Sequence, residues 1–360
     1  MTGKPLRQGW TTGACAAAAA AAGFEALLGG RFPDPVIIVL PEGRQPAFAL
    51  ASSSCDGGTA EAAIIKDAGD DPDVTHGATI VARVRRLMAG QGLHFKAGAG
   101  VGTVTLPGLP LAVGEPAINP GPRAIISDNL HRIATAYGLD AVDVEVEIGV
   151  AGGAELALKT LNGRLGIVGG LSILGTNGVV VPYSCSAWVH SIHRAVDVAR
   201  AIGTEALLAV TGKTSEEGAR AFYPDLPEVA VIDVGDFMGA LLKYLRRNPV
   251  ERVIIAGGFA KLSKLAAGHL NLHSGRSEVD FEALAGLVRM VGGTSEQVAA
   301  ARTANTAMAV LEMAREAGLP LATVVAAKAW YVASQAVYQR LEVEIMVFDR
   351  AGRLVGQCEG

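Results

Sequence analysis

The stretch RQGWTTGACAAAAAAAG, from Arg7 to Gly23, sets two threonines and a glycine before seven consecutive alanines. Alanine has the highest helix propensity and threonine is a good N-cap, so the stretch predicts a helix that begins at Thr11 or Thr12. The pattern continues into FEALLGG, and we expect the helix to end near Gly29-Gly30. Such a thin helix allows a sheet or a ligand to approach its backbone closely.

The same stretch carries basic residues ahead of a run of small residues, as a secretion signal does. However, alanine is too weakly apolar for the hydrophobic segment of a signal, and Glu25 follows at once without a cleavage site. No apolar run reaches the roughly 18 residues that a membrane span needs. We therefore expect a cytoplasmic protein with no membrane partner.

The composition indicates a folded globular protein, because half of the 360 residues are hydrophobic and only 18% are charged. This length is enough for two domains. The net charge is -4 and the basic residues are dispersed, which argues against a nucleic-acid partner. A homodimer is compatible with the sequence. The cysteines are far apart and predict reduced thiols without a metal site: Cys15, Cys55, Cys185 and Cys358.

Strand patterns dominate the first part of the chain and predict an α+β domain over residues 1–150. An amphipathic helix is expected at PGPRAIISDNLHRIATAYG (120–138), and a short helix within DGGTAEAAIIKDAG (56–69). The expected strands are PVIIVL (35–40), PAFALAS (46–52), ATIVARVRRL (78–87), GVGTVTL (100–106) and VDVEVEIG (142–149).

In residues 151–360, short apolar strands alternate with helical stretches, which predicts a Rossmann-like α/β domain with a parallel sheet and flanking helices. The expected helices include AWVHSIHRAVDVARAIG (187–203) and GDFMGALLKYLRRN (235–248), and a long helical block, 294–341, precedes the last strand. The expected strands are RLGIVGG (164–170), ALLAVTGK (206–213), VAVIDVGD (229–236), RVIIAGG (252–258) and VEIMVFD (343–349).

The loop KDAGDDPDVTHGA (66–78) holds four aspartates, a lysine and a histidine. Crowded carboxylates favour a site for a cation or for hydroxyl and amine donors. The alternative is a structural loop of Asx turns. The candidate site residues of the loop are Lys66, Asp67, Asp70, Asp71, Asp73, Thr75 and His76.

Two further stretches offer ligand contacts. LAVGEPAINPGPR (111–123) is a proline-stiffened loop, and its Glu115, Asn119 and Arg123 suit a carboxylate or a phosphate, although a rigid connector explains the loop equally well. The glycines of GGAELALKTLNGRLGIVGGLSILGTNG (152–178) match neither the dinucleotide fingerprint nor a P-loop, but they let backbone approach a ligand. The alternative, which the stretch taken alone favours, is a pair of tight turns. Its candidate binding residues are Lys159, Thr160, Asn162, Gly169, Gly170, Ser172 and Thr176.

Taken in order, these stretches resemble the cobalt-precorrin-5B C1-methyltransferase family, the CbiD proteins. The matching segments run from residue 7 to beyond residue 280, so the resemblance covers essentially the whole chain. They are GWTTGACAAAAA, KDAGDDPDVTHGA, GVGTVTLPGL, VGEPAINPGPR, the glycine-rich block 152–178 and HSGRSEVDF.

The resemblance implies methyl transfer from S-adenosylmethionine to C1 of cobalt-precorrin-5B, in anaerobic cobalamin biosynthesis. The cobalt then belongs to the tetrapyrrole substrate, and no protein-bound metal is implied. The substrate carries acetate and propionate groups, so Thr11, Thr12 and Gly13 at the helix N-terminus become candidate contacts. The resemblance also makes Asp70, Asp71 and His76 the candidate catalytic residues. The alternatives are a non-catalytic corrinoid carrier and a Mg²⁺-dependent phosphate-handling enzyme.

Overall fold

This computed structural model describes residues 5–360, which divide into two compact units, the first ending at Cys185 and the second covering Ser186–Gly360. The division lies at Cys185 rather than at residue 150, where we expected it, because segment 151–185 is part of the first unit. Two short strands in this segment explain why, since each pairs antiparallel with a strand from the first 150 residues.

The strands of the first unit are β1 (Gly9–Trp10), β2 (Val36–Ile37), β3 (Ala47–Phe48), β4 (Ser52–Asp56), β5 (Thr59–Ile65), β6 (Thr79–Arg86), β7 (Leu93–Ala97), β8 (Thr103–Val104), β9 (Val144–Val150), β10 (Ile167–Val168) and β11 (Val179–Val180). Five of them form a sheet of order β4-β5-β6-β9-β7, which is antiparallel except for the β7–β9 pair. The helices of this unit are α1 (Thr12–Gly29), α2 (Pro120–Ala136) and α3 (Gly153–Ala157).

Helix α1 is the centre of this unit's core. Thr11 caps its N-terminus by accepting a hydrogen bond from the Ala14 N–H at 3.1 Å, and it ends at the left-handed Gly30, as predicted. The alanines 16–22 are all at most 1% exposed, because α1 packs between α2 and the inner faces of β5 and β6. The small side chains of this helix therefore allow the sheet to pack close to its backbone.

By length and hydropathy alone the 18-residue α1 could cross a bilayer, contrary to our expectation that no apolar run is long enough. In the structure 78% of this window is buried inside the unit. A core helix meets the same test, and α1 is one.

Enlarging a side chain in α1 should destabilise the first unit. We expect Ala18→Leu to lower the free energy of unfolding by about 1–3 kcal/mol, because Ala18 is fully buried and a larger side chain must displace its packed neighbours. Urea denaturation measures this loss. Ala300→Leu, at an exposed position of a helix in the second unit, is the control. Equal effects of the two substitutions would contradict the packing argument.

Two local predictions in this unit are wrong. Residues 59–65 form strand β5 rather than a helix, because a turn at Gly57-Gly58 folds β4 and β5 into a hairpin whose inner side chains lie under α1. RLGIVGG gives only the two-residue β10, which pairs with β8 and not with the parallel sheet. Left-handed glycines on both sides, Gly166 and Gly169, stop this strand. Strand β7 was not predicted.

The second unit contains a five-stranded sheet of order β13-β12-β14-β15-β16, parallel except for β16, which was not predicted. Its strands are β12 (Ala206–Val210), β13 (Val231–Asp233), β14 (Arg252–Gly258), β15 (Glu342–Phe348) and β16 (Leu354–Glu359). Its helices are α4 (Cys185–Ala201), α5 (Lys213–Arg220), α6 (Met238–Leu245), α7 (Phe259–Ala266), α8 (Phe281–Met290), α9 (Ser295–Arg302), α10 (Ala307–Glu316) and α11 (Leu321–Ala336). The four parallel strands and the helical block before β15 agree with the sequence.

Candidate functional site

The N-terminus of α1 is the point where the acidic loop and the glycine-rich block meet. Strand β1 pairs antiparallel with β11, and the Thr11 N–H donates to the Gly178 carbonyl at 3.0 Å. On the other side of this segment, the Trp10 N–H donates to the Asp67 carbonyl at 2.7 Å. Stretches more than 100 residues apart in the chain are thus joined through backbone hydrogen bonds.

The three residues that begin α1 are buried in this junction. Thr11 Oγ1 caps the helix, and Thr12 Oγ1 lies 3.3 Å from the carbonyl oxygen and from the nitrogen of Leu174. The Gly13 N–H donates to the same Leu174 carbonyl at 3.2 Å. The groups that we predicted to bind a ligand carboxylate are therefore engaged by the protein itself.

Three aspartates of the acidic loop bind neighbouring segments of the chain. Asp67 accepts two hydrogen bonds from the Arg7 guanidinium, which hold the pKa of its carboxyl group at about 2. Asp70 accepts the backbone N–H of Arg7 at 2.6 Å, and Asp71 accepts that of Tyr183 at 2.8 Å. These carboxylates fix the two segments that flank the loop.

The fourth aspartate, whose side chain is 25% exposed, forms an ion pair with a buried lysine. The side chain of Lys66 is 1% exposed, and its Nζ lies 2.5 Å from Asp73 Oδ2. The other Asp73 oxygen accepts hydrogen bonds from the N–H and the hydroxyl of Thr75, at 2.7 and 2.6 Å. Burial alone would raise the pKa of Asp73, but the hydrogen bonds from Lys66 and Thr75 outweigh it and lower the pKa. Asp73 is therefore ionised at neutral pH.

The imidazole of His76 is half exposed, and its Nδ1 accepts the backbone N–H of Ala68 at 3.1 Å. In the neutral ring the proton then lies on Nε2, so the exposed edge donates a hydrogen bond. This arrangement favours a donor over a general base.

Cys15 is buried beneath the loop, and burial raises the pKa of its thiol to about 12, which suits a packing residue.

The proline-stiffened loop is held by Arg123. Its Nε donates to the Ile118 carbonyl at 2.8 Å, and one Nη donates to Glu115 at 2.8 Å, while a quarter of the side chain stays exposed. Asn119 precedes α2 and donates its amide to the Ile173 carbonyl at 3.2 Å. The loop is thus attached to the glycine-rich block, and Arg123 keeps limited access to solvent.

Within the glycine-rich block the candidates separate into buried and exposed groups. The Asn162 amide donates to the Gly170 carbonyl at 3.2 Å, and Ser172 donates to Asn162 Oδ1 at 3.3 Å, so these three form an internal bridge. Thr160 donates to a carbonyl of α3. The exposed candidates, which remain accessible to a ligand, are Lys159, Gly169 and Thr176.

Sequence reasoning missed a cleft of about 420 Å³ on the outward face of the sheet, hereafter the sheet cleft. The sequence features that could have revealed this cleft are the alternate, outward-facing positions of β5, β6 and β9 and the pair Gly152-Gly153 that follows β9. It is lined by Glu61, Val81, Arg83, Glu147 and the segments 98–100 and 149–155. Within residues 5–360, no group of three or more His, Cys, Asp or Glu side chains could hold a metal ion.

Comparison with known proteins gives a consistent result. The family model CbiD matches residues 1–182, and the model for the CbiD C-terminal domain matches residues 271–359. A Rhodospirillum rubrum protein named cobalt-precorrin-5B C(1)-methyltransferase is 58% identical over 99% of this chain and 98% of its own length. A Bradyrhizobium protein of the same name is 55% identical over 99% of this chain and 95% of its own length. A crystal structure of the cobalamin biosynthesis protein CbiD from Archaeoglobus fulgidus is 25% identical, with a TM-score of 0.40 and coverage of 87% and 85%.

Proposed function

The chain belongs to the CbiD family, and on that premise we propose that it transfers a methyl group from S-adenosylmethionine to C1 of cobalt-precorrin-5B, giving cobalt-precorrin-6A. One observation carries this proposal: relatives with that activity in their names match the chain over 98–99% of its length at more than 50% identity. The substrate is a cobalt-containing tetrapyrrole in anaerobic cobalamin biosynthesis, and the enzyme works in the cytoplasm. The resemblance stated from the motifs is confirmed.

S-adenosylmethionine supplies the methyl group on a sulfonium, which is already an activated leaving group. The protein's own contribution is therefore to position the accepting carbon in line with that methyl group, and well-oriented reactants account for about 7–11 kcal/mol of a barrier. The junction at the start of α1 supports this role, because a network of backbone hydrogen bonds joins its loops. Loops joined in this way keep their exposed residues in fixed positions.

The exposed candidates are assigned to the substrate. Lys159 and the exposed quarter of Arg123 suit the acetate and propionate groups, and Thr176 offers an exposed hydroxyl. His76 donates a hydrogen bond through Nε2 rather than removing a proton. Asp67 is too weakly basic to accept a proton, since its pKa is about 2.

We also propose a fold class for each of the two units. The first unit is assigned to the α+β class, and the second is assigned to the Rossmann-like class, because four of its strands are parallel and helices lie between them in the chain. Ligands of open α/β sheets bind at the carboxyl ends of the strands, which gives the second unit a ligand-binding edge of its own.

The activity is tested with purified protein, S-adenosylmethionine and cobalt-precorrin-5B under anaerobic conditions. Mass spectrometry should show a product heavier by one methyl group, and a reaction without S-adenosylmethionine is the control. Tetrapyrrole binding without the gain in mass, by protein shown to be folded, would contradict the proposal and would indicate a carrier instead.

A further inference from the structure

The sheet cleft lies within the first unit, away from the inner face that α1 covers. Its floor consists of outward positions on β5, β6 and β9, and segments 98–100 and 149–155 form its rim. On β9 the outward position that follows Glu147 is Gly149, which leaves the floor open where a side chain would otherwise fill it. The volume of about 420 Å³ falls in the range of small-molecule sites.

Backbone contacts fix the shape of the rim. A Cβ atom on Gly100 would lie 2.1 Å from the carbonyl oxygen of Val150, and one on Gly153 would lie 2.3 Å from the carbonyl oxygen of Gly100. Only glycine allows the two rim segments to touch in this way. The cleft is therefore formed before any ligand arrives, which reduces the entropy lost on binding.

The charge of the lining indicates the charge of the ligand. The lining holds three carboxylates, Glu61, Glu147 and Glu155, and one guanidinium, Arg83, which is paired with Glu61 and lies 3.6 Å from Glu147. Lys96, beside the lining, binds Glu147 at 2.6 Å and leaves a surplus of one negative charge. A ligand with one net positive charge complements this surplus, whereas a macrocycle fringed with carboxylates is repelled.

We infer that the sheet cleft is the S-adenosylmethionine site, which rests on the proposed methyltransferase function. S-adenosylmethionine carries a sulfonium, an ammonium and one carboxylate, so its net charge matches the surplus of the lining. Its size suits the cleft, and its flat purine suits walls of glycine, alanine and valine. The residues assigned to the substrate, Lys159, Arg123 and Thr176, do not line this cleft.

The experiment measures binding of S-adenosylmethionine and S-adenosylhomocysteine by calorimetry without tetrapyrrole. Ala154→Phe places a large side chain in the cleft from an exposed position, and we expect it to weaken binding of both compounds at least tenfold. Its control is Ala136→Phe, at an exposed position of α2. Glu155→Gln should weaken S-adenosylmethionine about fivefold and S-adenosylhomocysteine less, because the product keeps its ammonium and carboxylate but has a neutral thioether in place of the sulfonium. The control here is Glu145→Gln, which is on β9 outside the lining.

Wild-type affinity of the folded variants Ala154→Phe and Glu155→Gln would overturn the inference. If the wild-type protein binds S-adenosylmethionine only when the tetrapyrrole is present, the KM for S-adenosylmethionine is measured instead of the calorimetric affinity. An unchanged KM in Ala154→Phe would then overturn the inference. The two proposals fail separately. If the cleft variants weaken binding of S-adenosylmethionine but the wild-type protein shows no turnover, only the proposed activity is refuted. If all cleft variants turn over normally, only the proposed binding site is refuted.

Discussion

Replacing Asp73 by asparagine should lower the free energy of unfolding of the first unit by about 3–5 kcal/mol. The reason is the ammonium group of Lys66, because the Lys66 side chain is only 1% exposed and its Nζ lies 2.5 Å from Asp73 Oδ2. Asparagine keeps the shape of the side chain and an oxygen for Thr75, but it leaves the buried cation without a counter-charge. An uncompensated buried charge is far more costly than the absence of the whole pair.

A double-mutant cycle separates the ion pair from other effects. Lys66→Met removes the buried charge, and the double variant Lys66→Met/Asp73→Asn should recover most of the stability lost in Asp73→Asn. Urea denaturation gives the free energies, and hydrogen exchange of residues 59–86 reports on the first unit alone. Additive losses in the double variant would show that the two side chains act independently.

The same pair predicts a dependence on pH. The pKa of Asp73 is lowered in the folded protein from its ordinary value of 3.8, so its stabilising contribution is complete above that value. The contribution is lost as the pH falls through the lowered folded-state pKa. The difference in stability between the wild-type protein and Asp73→Asn should therefore shrink on acidification below about pH 4. A difference that grows towards acid would contradict this sign.

The second large effect is expected at Gly9, where two stretches of backbone cross. A Cβ atom on Gly9 would lie 2.0 Å from the carbonyl carbon of Ala68 and 2.3 Å from the nitrogen of Gly69. Gly9→Ala must push strand β1 away from the acidic loop and break the hydrogen bond from Trp10 to Asp67. We expect a loss of about 3 kcal/mol in the free energy of unfolding.

Gly9→Ala should also reduce methyl transfer at least tenfold, because β1 leads directly into the start of α1. Urea denaturation and the mass-spectrometric assay measure the two effects. The matched control is Gly286→Ala, since a Cβ atom there meets nothing within 4 Å and alanine favours the helix. Wild-type stability of Gly9→Ala would show that the crossing is looser than the structure has it.

Local patterns were sufficient wherever one segment carried its own signal. The caps of α1, the proline start of α2 and the alternation of β9 all predicted the observed elements. The four parallel strands of the second unit were equally clear, because buried parallel strands are short, continuous apolar runs. The motifs also predicted the family.

Other features depended on contacts between distant segments. Residues 59–65 have the alanines and glutamate of a helix, yet they form β5 because their inner face is needed under α1. The acidic loop was expected either to offer its carboxylates to a cation or to hydrogen-bond donors, or to be a structural loop of Asx turns. In the structure Asp67 and Asp70 bind Arg7, and Asp73 binds Lys66. No periodicity within the loop indicates those partners.

The sequence by itself determined the alanine helix, the order of most elements and the family, since these depend on local propensity and on motifs read in order. The tertiary structure alone decided which polar groups remain free. Thr11, Thr12 and Gly13 are engaged by residues more than 150 positions away, so the predicted anion site at α1 became a structural junction. The sheet cleft arose likewise from strands and glycines distant in the chain, because a surface is shaped by whatever folding brings side by side.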